Sequence, residues 1–281
     1  MRFKRFTGWL LLLPLLLAQA GCGWANVAGS GAREHFRPGF NLFSPEQDVE
    51  LGNASAEEMA RQVRLVGDER VVAYVRRTGE RLAAETTGHA FPYKFYVVDA
   101  GEVNAFALPG GHVYVNAGAI AAARNEGELA GVLAHEIAHV SLRHGTNQAS
   151  KAYVAKAGLG LLGALAGGGG GDVGSALAAA GGAYANAMFL KFNREAETQA
   201  DLEGARLMAA AGYDPRDMAR FFEKLGGGPE EGASETSSDH PEPRSRVAAI
   251  NGLAPSLRIE RPAARDAGEF RRVKSRLSAL R

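Results

Sequence analysis

Residues 129–140 constrain this chain more than any other stretch. They are apolar on nearly every side, yet carry His135-Glu136-Ile137-Ala138-His139 in their middle. A helix that is apolar all round belongs inside a fold, and polar or ionisable side chains buried there need partners. Residues four apart share a helix face, so the two imidazoles converge on one point. Glu136 sits one step round that helix, off the ligand axis, where it reaches a water held at that point. Two His and a Glu at this spacing read as a zinc site with its general base built in. Two His leave zinc short of its usual four partners. Hydrolysis at such an ion needs a third protein ligand and an open, water-filled position.

A second helical stretch supplies that ligand. It opens at Arg194-Glu195-Ala196-Glu197-Thr198-Gln199-Ala200-Asp201 and runs to about Ala211. Glu197 and Asp201 are four apart and share a face. One carboxylate ligates the metal while the other, a turn later, accepts a hydrogen bond from the distal nitrogen of a ligand His and fixes its tautomer. Glu197 is the expected third ligand and Asp201 the orienting group, with Glu195 as the competing choice of ligand. His144, a little beyond His139, is expected to point away, and His35, His89 and His112 carry no signal.

The remaining pattern is that of an α+β domain, mainly helical, with a small antiparallel sheet beside the active-site helix. Ser44-Pro45-Glu46-Gln47 is a capping-box start for a helix to about Val66, and Asp68 caps a second helix. Tyr93-Lys94-Phe95-Tyr96-Val97-Val98 is aromatic and β-branched, as strands are. Residues 104–108 and 112–115 are short runs joined by Pro109-Gly110-Gly111, a hairpin signal. Asn116 or Asn125 starts the helix that carries the metal motif, which extends to about His144. Residues 155–187 read as two small-residue helices around a glycine hinge at Gly167 to Gly171, able to move over the site. Further helices are expected over 215–225 and 243–251, with a polar loop between them that delivers Asp239-His240-Pro241. No Ser lies in a recognisable nucleophile motif, which argues against a serine hydrolase.

At these residues a family resemblance becomes plain. His135-Glu136-Ile137-Ala138-His139, then Glu197-Thr198-Gln199-Ala200-Asp201 after an Ala/Gly-rich stretch, resembles peptidase family M48, a family of zinc endopeptidases. The resemblance extends to Ser44-Pro45-Glu46-Gln47 with Leu51-Gly52, and to Val103-Asn104-Ala105-Phe106-Ala107-Leu108-Pro109-Gly110-Gly111. It covers roughly residues 44 to 250. It implies a zincin-like fold and one Zn²⁺ per chain, held by His135, His139 and Glu197 with Glu136 as base. It also implies that His240 approaches the metal, either stabilising the oxyanion or occupying the open position and silencing the enzyme. Unlike in the longer periplasmic members, no helical-repeat domain is expected after the protease unit.

The expected reaction is hydrolysis of peptide bonds in unfolded or misassembled envelope proteins. Substrate is expected to lie extended along a sheet edge at Asn104, Ala105, Phe106 and Ala107, paired through its backbone. Phe106 itself reads better as filler of the hairpin core. The rival readings are a chaperone-like or autoinhibited zinc-binding module that rarely cuts, and a narrow peptidase acting on chain termini.

The N-terminus bears on location. Arg2, Lys4 and Arg5 precede an apolar run from Trp9 to Leu17, interrupted at Pro14, and small residues follow. This is a secretory signal, too short to stay as a membrane span. Ala18-Gln19-Ala20 suits ordinary cleavage, whereas Ala20-Gly21-Cys22 suits a lipoprotein site. Cys22 is the only cysteine of the chain, so lipidation would account for an otherwise liable free thiol. The expected organisation is a signal over 1–21, a flexible tether over 22–43, the metallopeptidase domain over 44–255 and a basic C-terminal tail over 256–281, whose Arg-rich run reads as a solvated terminal helix. The mature protein is placed in the bacterial periplasm, with a lipid anchor at the outer membrane as the favoured arrangement. The formal charge of +1 gives no bias toward nucleic acid.

Overall fold

The protein is seen here as a computed structural model that describes residues 35–165, 192–225, 243–259, 262 and 267–280. The first helix, α1 (Pro45–Gln62), starts at a full capping box: Ser44 Oγ accepts the Gln47 N–H, and the Gln47 side chain accepts the Ser44 N–H. The second, α2 (Glu69–Ala83), is capped by Asp68, whose carboxylate accepts the N–H groups of Arg70 and Val71. These side chains satisfy backbone donors that the first helical turn leaves open.

Three strands follow: β1 (Lys94–Val98), β2 (Ala105–Leu108) and β3 (His112–Asn116). Pro109-Gly110-Gly111 turns β2 into β3, with φ of 72° at Gly110 and 114° at Gly111. A side chain at Gly110 would also strike the Val49 backbone at 2.5 Å, so glycine is required there twice over. The expected antiparallel sheet is in fact mixed. Its order is β1-β3-β2, with β3 antiparallel to β2 and parallel to β1. The segment between β1 and β2 carries the chain past one strand position, and the hairpin then folds β3 back into it.

The two faces of the sheet do different jobs. Phe95, Val97, Ala105, Val113 and Val115 join the main core with α2 and the metal-motif helix. On the other face Tyr96, Tyr114 and Phe106 stand side by side across the three strands, with ring centroids 4.6 and 4.8 Å apart, and pack toward Met59 of α1. Phe106 is thus a packing residue, as the sequence favoured.

After the short α3 (Ala117–Ala122) comes α4 (Glu126–Ser141), which carries the motif. Of its two candidate starts, Asn125 is the true cap: its side chain accepts the Glu128 N–H at 2.8 Å, whereas Asn116 makes no such bond. Every residue from Gly127 to Ser141 is buried. Around α4 pack α2, α6 (Arg194–Ala210) and α7 (Arg216–Leu225), while α8 (Pro243–Leu253) lies across α6 and α7. Close approach is achieved by small residues. A side chain at Gly131 would meet the Met218 backbone at 2.7 Å, and one at Gly204 would meet Ala134 at 3.1 Å.

Two sequence expectations change here. The C-terminal helix is there, but it is docked and not solvated: α9 (Ala267–Ala279) buries Phe270, Val273 and Leu277 in the main core. Its three apolar residues lie at helical spacing, and that pattern outweighs the run of charge. Nor is all of 22–43 a free tether. Leu42 N–H donates to Ser150 Oγ, Asn41 Nδ2 to Thr146 Oγ1, and His35 lies 2.7 Å from Glu203. Those bonds fasten residues 35–43 to α6 and to α5 (His144–Leu165). Of the expected small-residue helices over 155–187, the first is the end of α5; the glycine hinge lies outside the described residues.

Packing this close predicts that Gly131→Val is destabilising. Valine is only slightly better than glycine in a helix, whereas overpacking against the α7 backbone costs about 1–3 kcal/mol. Urea unfolding is expected to show a net loss in that range; an unchanged midpoint would contradict the close approach of α4 and α7.

Candidate metal centre

One turn of α4 separates His135 from His139, and their Nε2 atoms stand 3.1 Å apart. Glu197, from the first turn of α6, brings Oε2 to 3.6 Å from His135 Nε2 and Oε1 to 3.6 Å from His139 Nε2. One ligand atom from each of the three lies within 4.8 Å of the others, and all three residues are buried. Bonds of about 2.0–2.2 Å in a tetrahedral arrangement separate ligand atoms by about 3.3–3.6 Å. The observed spacings therefore suit one small cation with little adjustment, and two imidazoles with a carboxylate are a donor set for a d-block ion.

The orientation of His135 is held from behind. Its Nδ1 lies 3.0 Å from Asp201 Oδ1 and 3.2 Å from Arg246 Nη2; a proton on Nδ1, donated to the carboxylate, leaves Nε2 its lone pair for the centre. Asp201 is in turn gripped by Arg246 of α8, Nε donating to Oδ2 at 2.8 Å and Nη2 to Oδ1 at 2.7 Å. The same Nη2 stands 3.6 Å from Glu197 Oε2, and the guanidinium lies over the Phe222 ring at 4.0 Å. Burial alone would lower the Arg246 pKa. Hydrogen bonding and charge from Asp201, with Glu197 and Glu136 adding theirs, outweigh it and hold the pKa above its ordinary value. Arg246 is therefore a permanent buried cation beside the metal ligands.

Glu136 is also buried on α4, within electrostatic reach of Arg246. Glu195, the competing ligand, is exposed and lies outside the cluster; it accepts a hydrogen bond from Gln199 at 3.3 Å. His240 lies outside the described residues. Asn104 precedes β2, and Ala105, Phe106 and Ala107 lie in it, packed beside α4 with β3 on one side only among the described residues.

His144 is a correction. Had α4 run on to this position, the side chain would have turned away. Instead α4 stops at Ser141, Arg143 adopts a φ of 56°, and α5 begins at His144 itself. The reversal places His144 Nδ1 3.0 Å from His139 Nδ1, and burial pushes its pKa down to about 4. A non-glycine residue in the left-handed region marks such a reversal, but nothing in the local sequence reveals it. Arg246 is a further site residue that the sequence reading did not single out, although a signal for it exists. With Glu136 the site buries three carboxylates, one more negative charge than a divalent ion balances, and an arginine in a later helix answers that need.

Residues 69–254 match the family model described as Peptidase family M48. This chain belongs to that family. It is 29% identical over 223 residues to the beta-barrel assembly-enhancing protease of Escherichia coli strain K12, an alignment covering 75% of this chain and 45% of that protein. It is 30% identical over 197 residues to the mitochondrial metalloendopeptidase OMA1 of Schizosaccharomyces pombe, covering 67% of this chain and 54% of that one. The metalloprotease YcaL of Escherichia coli is 27% identical over 225 residues, covering 77% of this chain and 85% of the relative. The chain thus spans less than half the length of the assembly-enhancing proteases it matches. The M48 family fits a zincin-like α+β fold, and His135, His139 and Glu197 form a cluster able to hold a metal ion.

In this M48 peptidase the Asp201–Arg246 pair is predicted to support the fold even without metal. Asp201→Ala leaves a buried guanidinium short of its main partner and is expected to cost about 3–5 kcal/mol in urea unfolding of the metal-stripped protein. The double variant Asp201→Leu/Arg246→Met is expected to recover most of that. A loss below about 1 kcal/mol for the single variant would show the pair to be dispensable.

Proposed function

We propose that this M48 metallopeptidase is a zinc-dependent endopeptidase that cleaves unfolded or misassembled proteins in the bacterial cell envelope. The observation that carries the reading is the convergence of His135, His139 and Glu197 donor atoms within 4.8 Å, with Glu136 next to His135 on the same buried helix. His135, His139 and Glu197 would hold the ion. When bound, the ion would supply the positive charge that brings the pKa of a water near ~7 and polarises the scissile carbonyl.

The other steps belong to the chain. Glu136 takes the proton of the attacking water and delivers it to the leaving amine. Asp201 keeps His135 in the tautomer that points Nε2 at the centre, and Arg246 holds the Asp201 carboxylate in place with two hydrogen bonds. The edge of β2, at Asn104, Ala105, Phe106 and Ala107, offers backbone N–H and C=O groups to a peptide in extended form. Main-chain pairing selects for unfolded segments and little for sequence, which suits removal of damaged chains. His240 is assigned to the same site, as oxyanion partner or as an occupant of the open position.

Placement in the envelope rests on the N-terminal secretory signal and on the printed name of the assembly-enhancing relatives, which concerns β-barrel assembly. Lipidation of Cys22 would hold the protein at the outer membrane. No helix among the described residues is long and apolar enough to cross a bilayer.

The test separates chemistry from binding. Glu136→Gln is expected to keep one zinc per chain, by elemental analysis, while casein cleavage falls by about 10²–10⁴-fold. Glu197→Ala is expected to lose both zinc and activity. Undiminished cleavage by Glu136→Gln would remove Glu136 as the base, and a wild-type chain that binds casein without cutting it would favour the chaperone-like reading.

A further inference from the structure

Each metal histidine has its own support, and the two supports differ in kind. His135 is backed by a carboxylate. Behind His139 stands a neutral chain of side chains: His139 Nδ1 is 3.0 Å from His144 Nδ1, and His144 Nε2 is 3.1 Å from Gln199 Oε1. Gln199 Nε2 then donates to Glu195 Oε1 at 3.3 Å. We propose that Glu195, Gln199 and His144 form a positioning relay that forces His139 to present an unprotonated Nε2 to the metal.

The assignment follows from donors and acceptors once His144 carries a single proton. A carboxylate only accepts, so Glu195 fixes the Gln199 amide with its NH₂ toward Glu195 and its carbonyl toward His144. A carbonyl oxygen only accepts, so His144 Nε2 carries a proton and donates it. A neutral imidazole has a single N–H, so His144 Nδ1 is an acceptor. The facing nitrogen, His139 Nδ1, must then be the donor. His139 Nε2 is left with its lone pair, aimed at the point shared with His135 and Glu197.

Secondary structure explains why three residues are enough. Glu195 and Gln199 are four apart on α6, so they meet across one turn. The reversal at Arg143 brings His144 back under His139, and α5 starts on it. Phe192 stacks on the His139 ring, with centroids 4.2 Å apart, which limits rotation of the ring. The relay thus uses the second carboxylate of the α6 turn, Glu195, for a task unlike that of Glu197. It is also neutral at the nitrogens that face His139, so it orients that ring without adding a buried charge.

The inference rests on His135, His139 and Glu197 being the metal ligands, and its test keeps the two apart. Zinc affinity is measured by competition with a chromophoric chelator on the full chain, with folding followed by circular dichroism. The site is read independently from the visible spectrum of the Co²⁺-loaded protein. His144→Leu and His144→Asn have nearly the same shape, but only asparagine offers an oxygen close to where Nδ1 sits. His144→Leu is expected to weaken zinc binding by about 10–100-fold, and His144→Asn to stay within a few-fold of wild type. Gln199→Met is expected to weaken binding and Gln199→Glu to preserve it; this second pair decides the matter if His144→Leu does not fold. Equal affinity within each pair, in folded protein, overturns the relay. If wild type binds no zinc, or His135→Ala binds it as tightly as wild type, the ligand assignment itself has failed.

Discussion

The fold is organised around an electrostatic demand: α4 is buried from Gly127 to Ser141 and yet carries two imidazoles and the carboxylates of Glu128 and Glu136. An apolar surround offers nothing to such groups, so polar partners must come from elements packed against α4 near the motif. α6 brings Glu197 and Asp201, α8 brings Arg246, and the start of α5 brings His144. Remove the metal and these groups still pair with one another. The site is therefore part of the core as well as a centre of chemistry.

Packing makes that pairing possible. α4 can sit close to α6 and α7 because Gly204 meets Ala134 and Gly131 meets Met218. A larger residue at Gly204 would push the carboxylates of α6 away from the imidazoles. The sheet serves the same end from the other side, presenting small residues such as Ala105 and Ala107 to the core and carrying its aromatic ladder on the opposite face. An edge strand lined by small residues can lie near the metal helix without filling the space in front of it.

Much of this was legible in the chain as written. The caps at Ser44, Asp68 and Asn125, the Pro-Gly-Gly turn and the convergence of His135 with His139 all rest on interactions spanning four residues or fewer. What escaped was long-range or involved a change of direction. The sheet proved mixed because strand order depends on where a hairpin inserts. The basic C-terminal run proved docked because three apolar residues matter more to a helix than its charged ones.

The sequence by itself determined the chemical inventory and its first geometry. Helical periodicity places residues four apart on one face, so the paired His, the paired acids and the intervening Glu136 follow from order alone. Only the tertiary structure decided that Glu197 rather than Glu195 meets the imidazoles, that His144 turns inward, and that Arg246 closes the network. Those outcomes depend on a left-handed residue at 143 and on the docking of α6 and α8, and no local interaction encodes where two distant helices come to rest.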